Sequence, residues 1–208
     1  SIILTLYNAN IVGQYNETQN PEDTGIYMSS SSGNVSLTIV LQGDNNQVSG
    51  ASGIYVFSGS GDASLSISGT GSLTAKGTGY GSCSGIMVQS NGGKAELTIN
   101  NVDVTATNIN TQGIRLQPAS ASPATLTVNG GSLTASGSKG IDYQFGTDTT
   151  GSGIPTVTVS SNAIVRANGG IANNSSTSIQ YGTGNEENGG IVFDGNEGTV
   201  YGSVTLQE

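Results

Sequence analysis

The sequence predicts an all-β fold, a single right-handed parallel β-helix with three short strands per coil and about six to seven coils over residues 1–208. One observation behind this prediction is a Gly-Ile dipeptide that recurs along the chain. Its copies are Gly25-Ile26, Gly53-Ile54, Gly85-Ile86, Gly113-Ile114, Gly140-Ile141, Gly170-Ile171 and Gly190-Ile191. Most successive copies lie about 30 residues apart, a spacing typical of one solenoid coil.

A strand-like pentapeptide in step with the dipeptide is the second observation. Its copies span 35–39, 63–67, 95–99, 124–128 and 155–159, and a weaker third series spans 71–75, 103–106 and 131–135. All of them alternate apolar and polar residues, which predicts strands with one row of side chains inside and one outside. Each coil therefore has three strands separated by Gly, Ser, Asn and Asp.

The alternation also predicts which residues form the core. The inward columns are expected to be Leu4/Leu6, Leu37/Ile39, Leu65/Ile67, Leu97/Ile99, Leu126/Val128 and Val157/Val159, with Ile26, Ile54, Ile86, Ile114 and Ile141 from another wall. The glycine before each isoleucine is expected to form a coil corner with positive φ, a conformation that costs residues with a Cβ more than glycine.

Composition limits the classes of function. Lys and Arg total 5 against 14 Asp and Glu, and the formal net charge of −9 argues against a nucleic-acid partner. Charged residues make up only 9%, so a neutral polar surface suited to sugar hydroxyls or solvent is expected. We expect no membrane insertion, because no run approaches the roughly 20 apolar residues of a membrane helix.

No catalytic constellation is visible in the sequence. There is no histidine, so Ser-His and Cys-His nucleophile systems are excluded. The acidic residues are mostly isolated, and the adjacent pairs Glu22-Asp23 and Glu186-Glu187 lie in loop-like segments. Cys83, the single cysteine, is interpreted as a small turn or core residue. We therefore predict that the chain is not an enzyme.

The residues one and three positions after each isoleucine form two ladders that are expected to face solvent. The first is Tyr27, Tyr55, Met87, Arg115 and Asp142, and the second is Ser29, Phe57, Gln89, Gln117 and Gln144. Tyr27, Tyr55 and Phe57 could offer rings to sugars, while Gln89, Gln117, Gln144 and Arg115 offer planar hydrogen-bonding groups. The alternative is that the ladders only stabilise stacked coils, with Arg115 and Asp142 as an exposed cross-coil pair.

Calcium is the one metal that the sequence suggests, and no cofactor is required. Asp44-Asn45-Asn46 and the run Asp194-Gly195-Asn196-Glu197 bring carboxylate and amide oxygens together, which are ligands that calcium prefers. Neither run matches a full calcium-binding loop, and ordinary turn chemistry explains the same residues. Asp44, Asp194 and Glu197 are thus candidate ligands.

The repeat Leu-Thr-Ile-x-Gly-x-Gly-Ser-Leu-Thr-Ala, present as Leu65 to Ala75 and Leu126 to Ala135, resembles β-helical repeats of surface proteins from gut Firmicutes and Bacteroides. It is also similar to the clostridial carbohydrate-binding β-helix family. The resemblance implies a secreted or cell-surface protein that binds polysaccharide without lyase activity, with calcium associated. It places no binding residue on this chain.

The two ends favour a fragment of a longer surface protein. Residues 2–6 are already strand-like, and residues 189–208 resemble a terminal coil or a junction to further repeats, so we expect the export signal and neighbouring domains outside this sequence. The leading hypothesis is a non-catalytic, adhesin-type module that contacts a host or cell-wall glycan. Its alternatives are a polysaccharide-active enzyme of the pectate-lyase-like fold and a pure structural spacer.

Overall fold

The computed structural model describes residues 1–13, 23–146, 151–160 and 162–175, and the backbone of 179–183, 190–192 and 204–207. Strands dominate these residues, and no α-helix occurs among them. The strands are β1 (Ile2–Tyr7), β2 (Asn10–Val12), β3 (Ile26–Ser30), β4 (Val35–Gln42), β5 (Asn46–Gly50), β6 (Ile54–Ser58), β7 (Ala63–Gly69), β8 (Ser72–Gly77), β9 (Ser84–Ser90), β10 (Ala95–Gln117), β11 (Ala124–Tyr143), β12 (Pro155–Val159), β13 (Ala163–Asn168), β14 (Ile171–Asn173), β15 (Ile179–Thr183), β16 (Gly190–Val192) and β17 (Val204–Gln207).

Equivalent strands of successive coils pair in parallel and form three columns. The first column is β1, β4, β7, the start of β10, the start of β11, β12, β15 and β17. The second is β2, β5, β8, the middle of β10 and β11, β13 and β16, and the third is β3, β6, β9, the ends of β10 and β11, and β14. The described chain is therefore a parallel β-solenoid in which six coils have a strand in each column, and this confirms the predicted fold class.

The core is the continuous aliphatic stack that the alternation predicts. The inward residues from Leu37 to Val159 in the first column are at most 3% exposed, and Ile54, Ile86, Ile114 and Ile141 are fully buried. Leu4 and Ile26, in the first coil, are only partly buried. Each coil thus buries its apolar rows against the coils before and after it, and the first coil lacks one of these neighbours among the described residues.

The prediction of positive φ at the Gly-Ile glycines is wrong for most of them. Among the described copies only Gly170 has a positive φ, 76°. The other glycines are required by close packing. A Cβ on Gly53 would lie 2.6 Å from the carbonyl oxygen of Gly85, and one on Gly113 would lie 2.5 Å from the backbone nitrogen of Ser136. The corner before the third column is therefore so tight that neighbouring backbones occupy the space of a side chain.

Positive φ occurs instead at the turn between the first and second columns. Asn8 and Gly43 follow paired residues of the first two coils, with φ of 44° and 77°, and Asn101 and Gly130 follow paired residues of the fourth and fifth coils, with φ of 53° and 85°. Asparagine is the residue with a side chain that best tolerates this left-handed conformation, since its short amide bonds locally to the backbone. In these four coils the turn changes the direction of the chain between the first and second columns.

Candidate functional site

The outward side of the third column, the Gly-Ile wall, contains all eight candidate ligand-binding residues. Strand pairing aligns Tyr27 with Tyr55, Tyr55 with Met87, Met87 with Arg115, and Arg115 with Asp142. The second ladder likewise runs from Ser29 through Phe57 and Gln89 to Gln117. Gln144 follows the end of β11, and its backbone nitrogen donates to the Leu116 carbonyl oxygen at 2.9 Å. The structure therefore brings the predicted residues together as two rows along the solenoid.

The expectation that this wall faces solvent along its whole length is wrong. Tyr27 is 40% exposed, but Met87 and Asp142 are 3% exposed, and Arg115 and Gln117 are 7% exposed. Tyr55, Phe57, Gln89 and Gln144 are half-buried. Alternation along a strand sets the side on which a side chain stands, and it carries no information about how much of the chain lies over that side. The open part of the wall is thus its aromatic end.

Three aromatic rings form that open end. The ring centroids of Tyr27 and Tyr55 lie 5.2 Å apart with an interplanar angle of 35°, and those of Tyr55 and Phe57 lie 6.1 Å apart at 48°. These separations are within the range of favourable aromatic pairs. The three rings come from two adjacent coils. Their faces can contact an apolar ligand surface only at and around Tyr27, where the side chains are exposed.

A hydrogen-bond chain starts at the inner edge of this cluster. The Tyr55 hydroxyl donates to Gln89 Oε1 at 2.6 Å, and Gln89 Nε2 donates to Asn91 Oδ1 at 3.0 Å. Burial raises the pKa of Tyr55 to about 12, with a smaller contribution from Tyr27, while Arg115 acts in the opposite direction. Tyr55 is therefore a neutral donor held in a fixed orientation at neutral pH.

The raised pKa of Tyr55 predicts a late step in an alkaline titration. Because the folded-state pKa is about 12 against an ordinary 10.0, the folded chain retains this proton where the unfolded chain has lost it, so the Tyr55 contribution to stability is lost as pH rises from 10 towards 12. We expect the ultraviolet absorbance of ionised tyrosine to include a component near pH 12 that the Tyr55→Phe variant lacks. The same component in the variant would assign the late step to another tyrosine.

Arg115 and Asp142 do not form the exposed ion pair that the coil-stacking alternative predicts. The Asp142 carboxylate instead accepts from Lys139 Nζ at 2.9 Å, through its Oδ1 atom. Its Oδ2 atom and the Nε atom of Arg115 are both buried without a hydrogen-bond partner. Burial lowers the pKa of Arg115, while Asp142 and Tyr55 raise it by their charges. The wall thus contains a buried guanidinium whose loss of hydration is only partly offset by hydrogen bonds and opposite charges among the described residues.

Lys139, which pairs with Asp142 of this wall, and two buried serines on the inward side of the same column were not predicted from the sequence. Ser58 Oγ donates to the Gly33 carbonyl oxygen at 2.7 Å, and Ser90 Oγ donates to that of Gly61 at 2.5 Å. Both hydroxyls connect neighbouring coils where the third column ends. Lys139 is three residues before Asp142, and this spacing was the one signal that could have identified the ion pair.

The wall brings together several kinds of groups that are suited to ligand binding. It combines ring faces, a tyrosine hydroxyl, amides and one buried cation within two adjacent ladders. These are the groups by which proteins orient uncharged polar ligands with an apolar face. Among the described residues, no three His, Cys, Asp or Glu side chains gather as metal ligands.

Asp44, the calcium candidate that the structure describes, lies in the turn between β4 and β5, away from the wall. Asn46 is buried, and its Nδ2 donates to the carbonyl oxygens of Gly43 and Ser72 at 3.0 and 3.1 Å, while Asn45 Oδ1 accepts from Gln47 at 2.8 Å. These amides hold the turn, so this run leaves the exposed Asp44 as its candidate ligand. Asp194 and Glu197 lie outside the described residues. The Asp44 loop alone therefore does not provide the six or more oxygens that calcium takes.

Cys83 occupies a half-buried position beside the second and third columns. Burial raises the pKa of its thiol, an effect that the hydrogen bond with Ser52 opposes. A nucleophilic cysteine needs a lowered pKa, so the raised value favours the interpretation of Cys83 as a packing residue.

Comparison of the chain with family models, with curated proteins and with solved structures gave no match. Within the described part of the chain, no helix has the length and apolar character needed to cross a membrane.

Proposed function

We propose that this chain is a non-catalytic β-solenoid module that contacts glycan through the aromatic end of the Gly-Ile wall. The observation that carries the proposal is the ring cluster of Tyr27, Tyr55 and Phe57 next to the Gln89 amide. Aromatic faces cover the apolar faces of pyranose rings, and planar amides match their hydroxyl groups. Tyr27 is 40% exposed, so part of this ring cluster remains open to a ligand.

A binding role is supported over catalysis by the chemistry of the same wall. Glycoside hydrolysis needs two carboxyl groups on either side of the bond to be cleaved, and the wall carries one, Asp142, which is paired with Lys139. The sequence contains no histidine to act as a base at neutral pH. Charged residues make up 9% of the chain, and a neutral surface of this kind suits a secreted or cell-surface bacterial module that meets polysaccharide.

The proposal predicts saturable glycan binding that depends on Tyr55. We expect the purified chain to bind one class of glycan on a printed array, and the Tyr55→Ala variant to bind the same glycan about tenfold more weakly, because loss of one ring contact costs about 1.4 kcal/mol. Isothermal titration calorimetry with the best array oligosaccharide measures this difference. The matched control is Tyr80→Ala, since Tyr80 is 56% exposed and lies outside the wall.

The outcomes separate this function from its alternatives. Equal weakening by Tyr55→Ala and Tyr80→Ala would move the site off the wall. No binding to any glycan, with and without calcium, would favour a structural spacer. Release of reducing ends or of unsaturated products from a bound polymer would favour an enzyme. Calcium dependence that disappears in Asp44→Asn would assign the metal to that loop.

A further inference from the structure

The three rings of the aromatic end are tilted against one another. Tyr55 makes an interplanar angle of 35° with Tyr27 on the preceding coil and of 48° with Phe57 on its own strand. Rings that share a plane form a flat platform, whereas rings at these angles form a bent surface. The faces of the rings therefore point in different directions.

The tilt of the central ring is held in place by its surroundings. The Tyr55 hydroxyl donates to Gln89 Oε1 at 2.6 Å, and the same amide donates through Nε2 to Asn91 Oδ1 at 3.0 Å. These bonds fix the long axis of the Tyr55 ring. The ring is half-buried and lies between the rings of Tyr27 and Phe57, so close packing restricts its rotation about that axis. The bent surface is thus a fixed feature of the folded chain.

The ring surface is also narrow and short. The five-residue strands β3 and β6 each place two side chains outwards, so the wall is two side chains, or about 7 Å, wide. Three of these four positions hold the rings, and Ser29 holds the fourth with a small side chain. In the next coil the equivalent of Tyr55 is Met87, which is 3% exposed. The rings therefore form a small, stepped surface.

The shape of this surface favours one physical form of glycan over another. The face of a crystalline polysaccharide is a plane built from many parallel chains, and it can lie flat against only one of three mutually tilted rings. A single chain in solution turns at each glycosidic bond, so successive sugar units can meet rings that face in different directions. A bent surface therefore contacts more of a single chain than of a flat crystal face.

We propose that the aromatic end binds a single soluble glycan chain and not the face of a crystalline polysaccharide, with Tyr55 and Phe57 contacting the same chain from two directions. The inference rests on the proposed glycan-binding function and adds to it the physical form of the ligand. The tilt between the two rings, which lie on one strand, carries it.

Soluble and crystalline ligands test the proposal side by side. Isothermal titration calorimetry with the best array oligosaccharide measures binding of a single chain. Depletion of the protein from solution by microcrystalline cellulose and by crystalline chitin measures binding to a flat face, and Tyr55→Ala gives the retention that does not depend on the rings. We expect saturable binding of the oligosaccharide, and retention of the wild-type chain on both crystalline polymers no greater than that of Tyr55→Ala.

Replacement of Phe57 tests the tilt directly. Phe57→Leu keeps an apolar side chain at a half-buried position and removes the ring that stands at 48° to Tyr55. We expect the dissociation constant for the array oligosaccharide to rise about tenfold, because the chain loses its second ring contact. The matched control is Tyr80→Leu, which removes a 56% exposed ring outside the wall and is expected to bind as the wild type does. Circular dichroism of both variants checks that the fold is retained.

Three results would overturn the inference. Retention of the wild-type chain on a crystalline polymer above the level of Tyr55→Ala would show that the wall accepts a flat face, and the glycan-binding function would stand. Unchanged affinity of Phe57→Leu for the oligosaccharide would show that the ligand meets rings in one plane only. Absence of binding to any soluble or crystalline glycan would remove the proposed function together with the inference.

Discussion

Gly113→Ala is expected to destabilise the folded chain by about 3 kcal/mol, which lowers the midpoint of thermal unfolding by roughly 10 °C. A Cβ at Gly113 would lie 2.5 Å from the Ser136 nitrogen and 2.8 Å from the carbonyl oxygens of Ala106 and Gly140. All three atoms belong to the backbone, so no side chain can rotate to make room. The corner must open, and the hydrogen bonds of two neighbouring coils must lengthen with it.

The control for this prediction is a glycine with free space around it. Gly33 has a φ of 77°, and a Cβ built there meets no atom within 4 Å. Asparagine tolerates this backbone conformation, so Gly33→Asn is expected to cost less than about 1 kcal/mol. Thermal unfolding followed by circular dichroism compares the two variants. If Gly113→Ala unfolds at the wild-type temperature, the corner is looser than the distances require, and close packing is not the reason for the glycine.

The sequence predicts the core of this molecule well because two physical signals coincide there. Alternation sets which residues face inwards, and the repeat sets which residues stack, so the buried columns that include Leu65 and Leu97 follow from spacing alone. The role of the corner glycines could not be predicted in the same way. A recurring glycine in a short motif indicates that a side chain is not tolerated at that position. Either a left-handed φ or a close backbone contact can be the reason, and the motif is the same in both cases.

The candidate site is less predictable from sequence because it depends on burial and on contacts between coils. The ladder alignment follows from the repeat, whereas the burial of Arg115 depends on everything packed over the wall. The partner of Asp142 is Lys139, on the same strand, whereas the repeat places Arg115 beside Asp142 one coil away. A repeat identifies which residues are neighbours in a column. It does not predict which of two nearby cations, Lys139 or Arg115, forms an ion pair with Asp142.

Arg115→Met is expected to leave the stability unchanged or to raise it by up to about 2 kcal/mol. The side chain is 7% exposed, its Nε has no hydrogen-bond partner, and burial lowers its pKa, so the folded state already bears a desolvation cost for this charge. Methionine has a similar length and matches Met87, the residue that precedes Arg115 in the same ladder. Removal of the guanidinium also removes its longer-range attraction to Asp142, which limits the gain.

Lys139→Met provides the contrast, because it removes a cation that is paired. Its Nζ lies 2.9 Å from Asp142 Oδ1, and that carboxylate has a side-chain exposure of 4%, so the substitution leaves a buried charge without its partner. We expect Lys139→Met to destabilise the chain by about 3 kcal/mol. Chemical denaturation measures both variants, and a larger loss in Arg115→Met than in Lys139→Met would show that the guanidinium, and not the lysine, holds Asp142.

The stability and the glycan affinity of Arg115→Met together show whether Arg115 serves ligand binding or only the stacking of coils. If the glycan site extends from the ring cluster along the wall to Arg115, Arg115→Met is expected to weaken binding of the best array oligosaccharide about tenfold or more while the chain stays as stable as the wild type, since a charged hydrogen bond to a ligand contributes roughly 1.5–3 kcal/mol. A residue that costs stability and supports binding is retained for its ligand. If binding and stability are both unchanged, the ladder at this coil serves stacking alone, and the glycan site is confined to the rings of the first two coils.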